Sequence, residues 1–175
     1  MTRRLLFLLP LLVPAPAAAQ ELFGGLLAHD VHLPIDKGGF ENGVDVELGW
    51  RGAPIRVLRG IGSPSPYVLA SVVPSGGTHF AAAGLSWRIG SGPVFLRPGA
   101  GLAINSGSIP VYDVNGRRLD LGSRITFEPE LGIGYRIGSR AAVEVVLVHL
   151  SHAQLFSRQN PGMDSVGLRF TWNLR

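Results

Sequence analysis

Apolar and polar side chains alternate with period two over long stretches of this chain, and no other feature limits the possible folds as strongly. In the segment "RITFEPELGIGYRIG", Ile125, Phe127 and Leu131 lie on one face, whereas Glu128 and Glu130 lie on the other. Successive side chains of a β-strand point to opposite faces, so the pattern predicts strands with one apolar and one polar face. The 24 glycines and 13 prolines favour strands and turns over helices.

The alternation predicts eight strands and therefore an all-β fold. Their ranges are roughly 21–32, 44–53, 66–74, 78–90, 93–105, 123–137, 140–152 and 164–174. The connections after the fourth and sixth strands are tight, whereas those after the first, fifth and seventh strands are longer. Short turns at one end and long loops at the other are typical of outer-membrane barrels.

Two all-β folds fit alternating strands, and they differ in which face is inside. A soluble barrel or sandwich buries the apolar face, whereas a membrane barrel turns that face to lipid and encloses the polar one. Lys37 is the single lysine among 16 basic residues, which is unusual for a water-exposed surface. The polar face carries mixed charges that suit a narrow, filled lumen: Asp45, Glu47, Arg51, Arg88, Arg97, Glu128, Glu130, Arg136, Glu144 and Arg169. We therefore predict an eight-stranded antiparallel transmembrane β-barrel of the bacterial outer membrane.

The first residues have the pattern of an export signal. Arg3 and Arg4 precede the apolar run "LLFLLPLLVP", and Ala17 to Ala19 form a small-residue cleavage site. We predict a cleaved signal peptide at 1–19 and one barrel domain at 20–175; an N-terminal membrane anchor is the alternative. The chain has no cysteine, so no disulfide contributes to the fold. Its arginines are scattered, and no basic patch or motif indicates a nucleic-acid partner.

A candidate site lies in "HLSHAQLFSRQNPGMD", residues 149–164, where an apolar strand ends. Glu144 belongs to the polar lumen face, so His149 and Ser151 share the opposite, lipid-facing side. Asp164 begins the next strand, at the same end of the barrel. A serine becomes a nucleophile when a base removes its proton and an acceptor orients that base. The alternative is that these are interfacial polar residues without a catalytic role.

The segment "HLSHAQLFSRQNPGMDSVGLRF" closely resembles the C-terminal motif of the lipid A 3-O-deacylase family of outer-membrane enzymes. Weaker likeness extends upstream through "LGSRITFEPELGIGYRI". The resemblance implies an eight-stranded barrel with an outward-facing triad that cleaves the 3-O-linked acyl ester of lipid A. It implies Ser151 as the nucleophile, His149 as the general base and Asp164 as the orienting acid.

The chain departs from the family motif at two positions. Asp164 replaces a glutamate, and His152 replaces the asparagine that follows the serine. Strand parity from Ser151 leaves open that His152 points into the lumen. Candidates for stabilising the oxyanion are the His152 side chain, Asn160, and backbone N–H groups near Ala153, with Gly162 in the same loop.

The sequence thus predicts an outer-membrane serine esterase that removes an acyl chain from lipid A without a cofactor or metal. Lipid A or lipopolysaccharide is the expected substrate, and outer-membrane lipids are expected to surround the barrel. The sequence does not decide whether the protein forms a homodimer. His29, His32 and His79 have no metal-ligand partner at useful spacing, and we expect structural or surface roles for them. The alternatives are a non-catalytic barrel of structural or adhesion type and, less favoured, a periplasmic lipocalin-like carrier.

Overall fold

The computed structural model describes residues 21–33, 39–107, 121–158 and 160–174. These residues form eight antiparallel strands in one closed barrel, in which each strand pairs with its neighbours in the chain and the first pairs with the last. The strands are β1 (Glu21–Ala28), β2 (Val44–Arg51), β3 (Ser65–Val72), β4 (Phe80–Ser86), β5 (Val94–Asn105), β6 (Ile125–Ile137), β7 (Ala141–Leu150) and β8 (Met163–Asn173).

The eight predicted strands are confirmed, each within a few residues of its expected ends. A short 3₁₀ helix, Arg56–Ile61, lies in the connection between β2 and β3, and the alternation did not predict it. The predicted signal peptide at 1–19 lies outside the described residues. No helix among the described segments is long and apolar enough to cross a membrane.

The two longest connections lie at the same end of the barrel, although one connection at the other end, 52–64, is also long. One end, here called the loop end, has the connections 29–43, 73–79, 106–124 and 151–162. The other, here called the turn end, has the connections 52–64, 87–93 and 138–140. Outer-membrane barrels have short periplasmic turns and longer extracellular loops, so the loop end corresponds to the cell surface.

The lumen contains paired charges beside a cluster of buried apolar side chains. Arg169 donates to Glu47 through Nε (2.7 Å) and Nη2 (2.9 Å), and its Nη2 also lies 2.8 Å from Glu130 Oε2. Arg97 Nε lies 3.1 Å from both carboxylate oxygens of Glu144. Such pairs are stable away from water only when both charges are satisfied, which explains why the two signs are interleaved.

Aromatic rings fill the space that the charges leave. The guanidinium groups of Arg51 and Arg169 each lie 4.6 Å from the centroid of the buried Phe23 ring. Glycine is required opposite this ring, because a Cβ at Gly49 would overlap Phe23. The inner face therefore combines charged pairs, glycines and buried apolar side chains in one core.

The apolar face points outward along every strand. Leu131 and Ile133, which would be buried in a soluble barrel, are about half exposed. Arg88 and Arg136 have the parity of the lumen face but emerge at the turn end, where they are exposed. Trp50, Leu22 and Trp172 lie side by side in register near the same end, as expected for an aromatic belt at a membrane interface. The apolar wall with a charged interior is the arrangement of a transmembrane barrel.

Candidate active site

His149 and Asp164 are direct partners in the register between β7 and β8. His149 Nδ1 lies 2.8 Å from Asp164 Oδ1. A carboxylate only accepts hydrogen bonds, so the contact places the proton on Nδ1 and leaves Nε2 of the neutral ring as the basic nitrogen. The imidazole is about a quarter exposed and the carboxylate is fully buried.

Ser151 follows β7 immediately and has the same outward parity as His149. Its backbone is fixed against β6, since Phe127 N–H donates to Ser151 O (2.7 Å) and Ser151 N–H donates to Phe127 O (3.2 Å). The structure thus brings the His149 and Asp164 side chains into contact. Ser151 lies two positions after His149 in the chain, on the same outward face. Among the described contacts, no hydrogen bond joins the serine hydroxyl to the imidazole.

The loop after Ser151 turns sharply and closes on itself. Ala153 and Gln154 both have positive φ, 51° and 59°, in the left-handed region that non-glycine residues rarely adopt. His152 N–H donates to Asn160 Oδ1 at 2.9 Å. Gly162, just before β8, has a φ of 82° that glycine adopts without strain.

The His152 ring is buried on the side of the strand opposite to Ser151. Its Nδ1 accepts from Phe156 N–H at 3.4 Å, and its Nε2 lies 3.5 Å from Ser157 Oγ. These contacts are with the residues of the loop itself. They give the ring a role in shaping the loop, in agreement with the lumen-side parity of this position.

A second charged cluster lies next to the site at the loop end. His29 Nδ1 lies 3.1 Å from Asp45 Oδ2, and His29 Nε2 lies 2.9 Å from Glu41 Oε2. Asp45 also accepts from Ser165 Oγ at 2.6 Å, and Ser165 is adjacent to Asp164. Val31 N–H donates to the backbone oxygen of Asp164 at 2.7 Å. The connection 29–43 is therefore attached to the beginning of β8, beside the His149–Asp164 pair.

This cluster holds His29 in its charged form. Burial by itself would lower the pKa of His29, but the hydrogen bonds and charges of Asp45 and Glu41 outweigh it and raise the pKa to about 9. Burial also opposes the charge on Glu41, yet His29 and the Thr78 N–H keep the pKa of Glu41 below its usual value. Sequence patterning missed this cluster because its members come from positions 29, 41, 45 and 165. The only signal was Asp45 on the polar face.

The part of the chain that the structure describes has no group of side chains that could bind a metal ion. No three His, Cys, Asp or Glu side chains there are grouped so that they could hold a metal ion. His79, one of the histidines for which the sequence predicted a structural or surface role, is exposed and accepts a hydrogen bond from Val73 N–H at 3.1 Å.

The closed barrel and its apolar wall define a transmembrane β-barrel protein with a histidine–carboxylate pair on its outer surface. The sequence model of the lipid A 3-O-deacylase (PagL) family matches residues 45–173. The chain belongs to this family. The matched range includes Ser151, His149 and Asp164.

Several solved structures resemble the barrel, among them the following two. A crystal structure of the outer membrane enzyme PagL is 18% identical, covers 86% of this chain and 97% of its own, and superimposes with a TM-score of 0.61. A de novo designed transmembrane β-barrel is 13% identical, covers 91% of this chain and 98% of its own, and gives a TM-score of 0.53. No curated protein sequence matches the chain. At these identities the likeness shows the fold, an eight-stranded barrel.

Family and fold together make the chain an outer-membrane β-barrel protein. The loop end is then extracellular and the turn end periplasmic. His149 and Asp164 lie at the extracellular end on the lipid-facing side. The soluble-carrier alternative is excluded by the outward apolar wall and by the charge pairs inside the barrel.

Proposed function

We propose that this protein is a serine esterase that hydrolyses the 3-O-linked acyl ester of lipid A in the outer leaflet. The contact between His149 Nδ1 and Asp164 Oδ1, 2.8 Å long and on the outward face, carries the proposal. A structural barrel has no need of a buried carboxylate that orients an imidazole beside a serine. The family assignment supplies the substrate class.

In the first step Ser151 Oγ attacks the carbonyl carbon of the ester while His149 Nε2 takes the hydroxyl proton. The resulting imidazolium is stabilised by the Asp164 carboxylate, which accepts from Nδ1. The tetrahedral intermediate collapses, the C–O bond to the sugar breaks, and His149 returns the proton to the departing sugar hydroxyl. Ser151 now carries the acyl chain.

Water completes the reaction by the same route. His149 removes a proton from the water that attacks the acyl-enzyme, and the fatty acid leaves as Ser151 Oγ regains a proton. The serine–histidine hydrogen bond must form during this cycle. Catalytic hydrogen bonds of this kind are often long in the absence of substrate and tighten in the complex. We therefore expect the partly exposed side chains of Ser151 and His149 to rotate toward each other when the ester binds.

We assign the oxyanion to backbone donors of the turn after Ser151. His152 N–H already donates to Asn160 Oδ1, and the His152 ring is engaged within its own loop. The amides of Ala153 and Gln154 follow directly, and the left-handed backbone of both residues sets their direction. Donors that are fixed before the reaction stabilise a developing negative charge without reorganisation. Asn160 and Gly162 support this turn, Asn160 by its hydrogen bond and Gly162 by its positive φ.

Mass spectrometry of lipid A from cells with and without the protein tests the proposal. Cells with the wild-type chain should contain lipid A that lacks one hydroxyacyl chain, and cells with Ser151→Ala should contain the unmodified form. Heat-modifiable migration of the Ser151→Ala barrel is the control for folding. If the wild-type chain leaves lipid A unchanged, the proposed function is wrong and the non-catalytic barrel regains support. If both proteins trim lipid A, Ser151 is not the nucleophile.

A further inference from the structure

The periplasmic connection 52–64 exposes apolar side chains at the end of the barrel away from the proposed active site. Its 3₁₀ helix, Arg56–Ile61, has no buried residue. Val57 is 86% exposed and Ile61 is 59% exposed. Apolar residues that are this exposed, and near each other, indicate contact with another apolar phase.

A tryptophan on the outer wall determines where this helix lies. Trp87 follows β4 with the parity of the outward, lipid-facing residues. Its Nε1–H donates to Ile61 O at 2.7 Å, and a Cβ on Gly62 would lie 3.2 Å from the indole ring. The helix is therefore held against the membrane side of the barrel rim, and it does not lie across the mouth of the lumen.

The helix is at the level of the membrane interface. Trp50 and Trp172, which face outward from β2 and β8, lie in register with Leu22 at this end. Tryptophan is enriched where the headgroups meet the acyl chains, because its ring is apolar and its N–H requires a polar partner. Trp87 adds a third tryptophan to this belt. Because its indole N–H binds Ile61 O, the 3₁₀ helix lies at the same level as the belt.

The charges of the periplasmic end suit phosphate. Arginines are exposed there at five described positions: Arg56, Arg59, Arg88, Arg136 and Arg140. The carboxylate of Glu21, at the start of β1, is turned inward, where Arg51 Nη1 lies 2.9 Å away. The connection 52–64 contains no acidic residue. An arginine guanidinium binds phosphate oxygens through paired N–H donors.

We propose that residues 55–62 form a phospholipid-binding surface in the periplasmic leaflet of the outer membrane. Val57 and Ile61 enter the boundary between headgroups and acyl chains, and Arg56 and Arg59 bind phospholipid phosphates. A short segment with apolar and basic side chains binds a membrane interface through both kinds of contact. This surface is separate from the deacylase site, since it lies at the opposite end of the barrel and in the other leaflet.

The absence of cysteine from the chain makes a direct test available. Val57→Cys is labelled with an environment-sensitive fluorophore, and the protein is reconstituted into vesicles of phosphatidylethanolamine and phosphatidylglycerol. Ser91→Cys, exposed on the neighbouring periplasmic connection 87–93, is the matched control. We expect blue-shifted emission and quenching by nitroxide lipids at position 57, and aqueous emission quenched by iodide at position 91. Aqueous behaviour at both positions in a heat-modifiable barrel would overturn the proposal.

A second arm tests the two arginines. Arg56→Gln combined with Arg59→Gln is placed in the Val57→Cys background, and the phosphatidylglycerol fraction of the vesicles is varied. We expect nitroxide quenching at position 57 to increase with phosphatidylglycerol for the parent and to lose that dependence in the double substitution. If the two proteins respond alike, the arginines do not bind phosphate and that part of the proposal is wrong.

Discussion

His149 and Asp164 stand directly opposite each other on β7 and β8, and their side chains meet at 2.8 Å on the outer face of the barrel. Both residues belong to strands whose register is fixed over ten consecutive pairs. The imidazole is thus oriented by the sheet itself rather than by a flexible loop. Rigid placement of a base and its acceptor is what a catalytic site requires.

The first prediction concerns Asp164. Asp164→Asn should keep the barrel folded but favour the wrong histidine tautomer, because an amide can donate to Nδ1 where the carboxylate only accepts. We expect kcat to fall by ~10²–10⁴-fold, less than for His149→Ala, which removes the base. Release of hydroxy fatty acid from lipid A in detergent micelles measures both rates. If Asp164→Asn retains the wild-type kcat, the Asp164 carboxylate has no role in the mechanism.

A second prediction separates the two candidate roles of His152. The ring lies on the lumen side and is engaged with Phe156 and Ser157, so we expect His152→Asn to keep the wild-type pH profile. His152→Ala should lower loop stability and change kcat by no more than ~10-fold, since an oxyanion donor would account for ~10²–10³-fold. The measurement is the pH dependence of kcat for the three proteins. If kcat of His152→Ala falls by that larger factor and the acid side of its pH profile changes, the His152 ring is the oxyanion donor.

Most of the strands follow from the sequence because a transmembrane barrel requires alternating side chains. β1 and β3 alternate poorly, since both strands also turn apolar side chains inward. The 3₁₀ helix at Arg56–Ile61 does not follow, since six residues are too few to show a repeating period and its position depends on a hydrogen bond from Trp87. The signal of that helix was instead compositional, in apolar and basic residues without an acid.

The candidate site likewise has residues that the sequence predicts and residues that it does not. Parity alone places His149 and Ser151 on the outward face, and the family motif connects them with Asp164. The roles of these three residues stay predictions. The cluster of His29 with Asp45 and Ser165 could not be predicted, because barrel closure brings together β1, β2 and β8 from opposite ends of the chain.

A third prediction uses the pH dependence of that cluster. The pKa of His29 is about 9 in the folded protein, and ~6.5 is usual for an exposed histidine. Protonated His29 therefore stabilises the folded connection 29–43 fully below the lower value, and this contribution is lost as the pH rises through about 9. Asp45 and Glu41 are the charged groups that face it. Limited proteolysis should cut this connection slowly at pH 7 and faster at pH 10.

His29→Gln provides the variant for the same experiment, and His79→Gln, at an exposed ring, is the control. The His29 variant should be cut quickly at both pH values because an uncharged amide supplies no positive charge between the two carboxylates. The control should behave as the wild type. Equal cleavage of all three proteins across the pH range would show that His29 does not hold the connection.

The central claim is that His149 activates the Ser151 hydroxyl as a nucleophile. Covalent labelling measures the reactivity of this hydroxyl most directly. A fluorophosphonate ester should react with the purified barrel, and peptide mass spectrometry should find the adduct on Ser151. His149→Ala should slow the labelling by at least ~10²-fold, because the hydroxyl then has no base to remove its proton. A label that appears on Ser157, or one that reaches Ser151 equally fast without His149, would contradict the account.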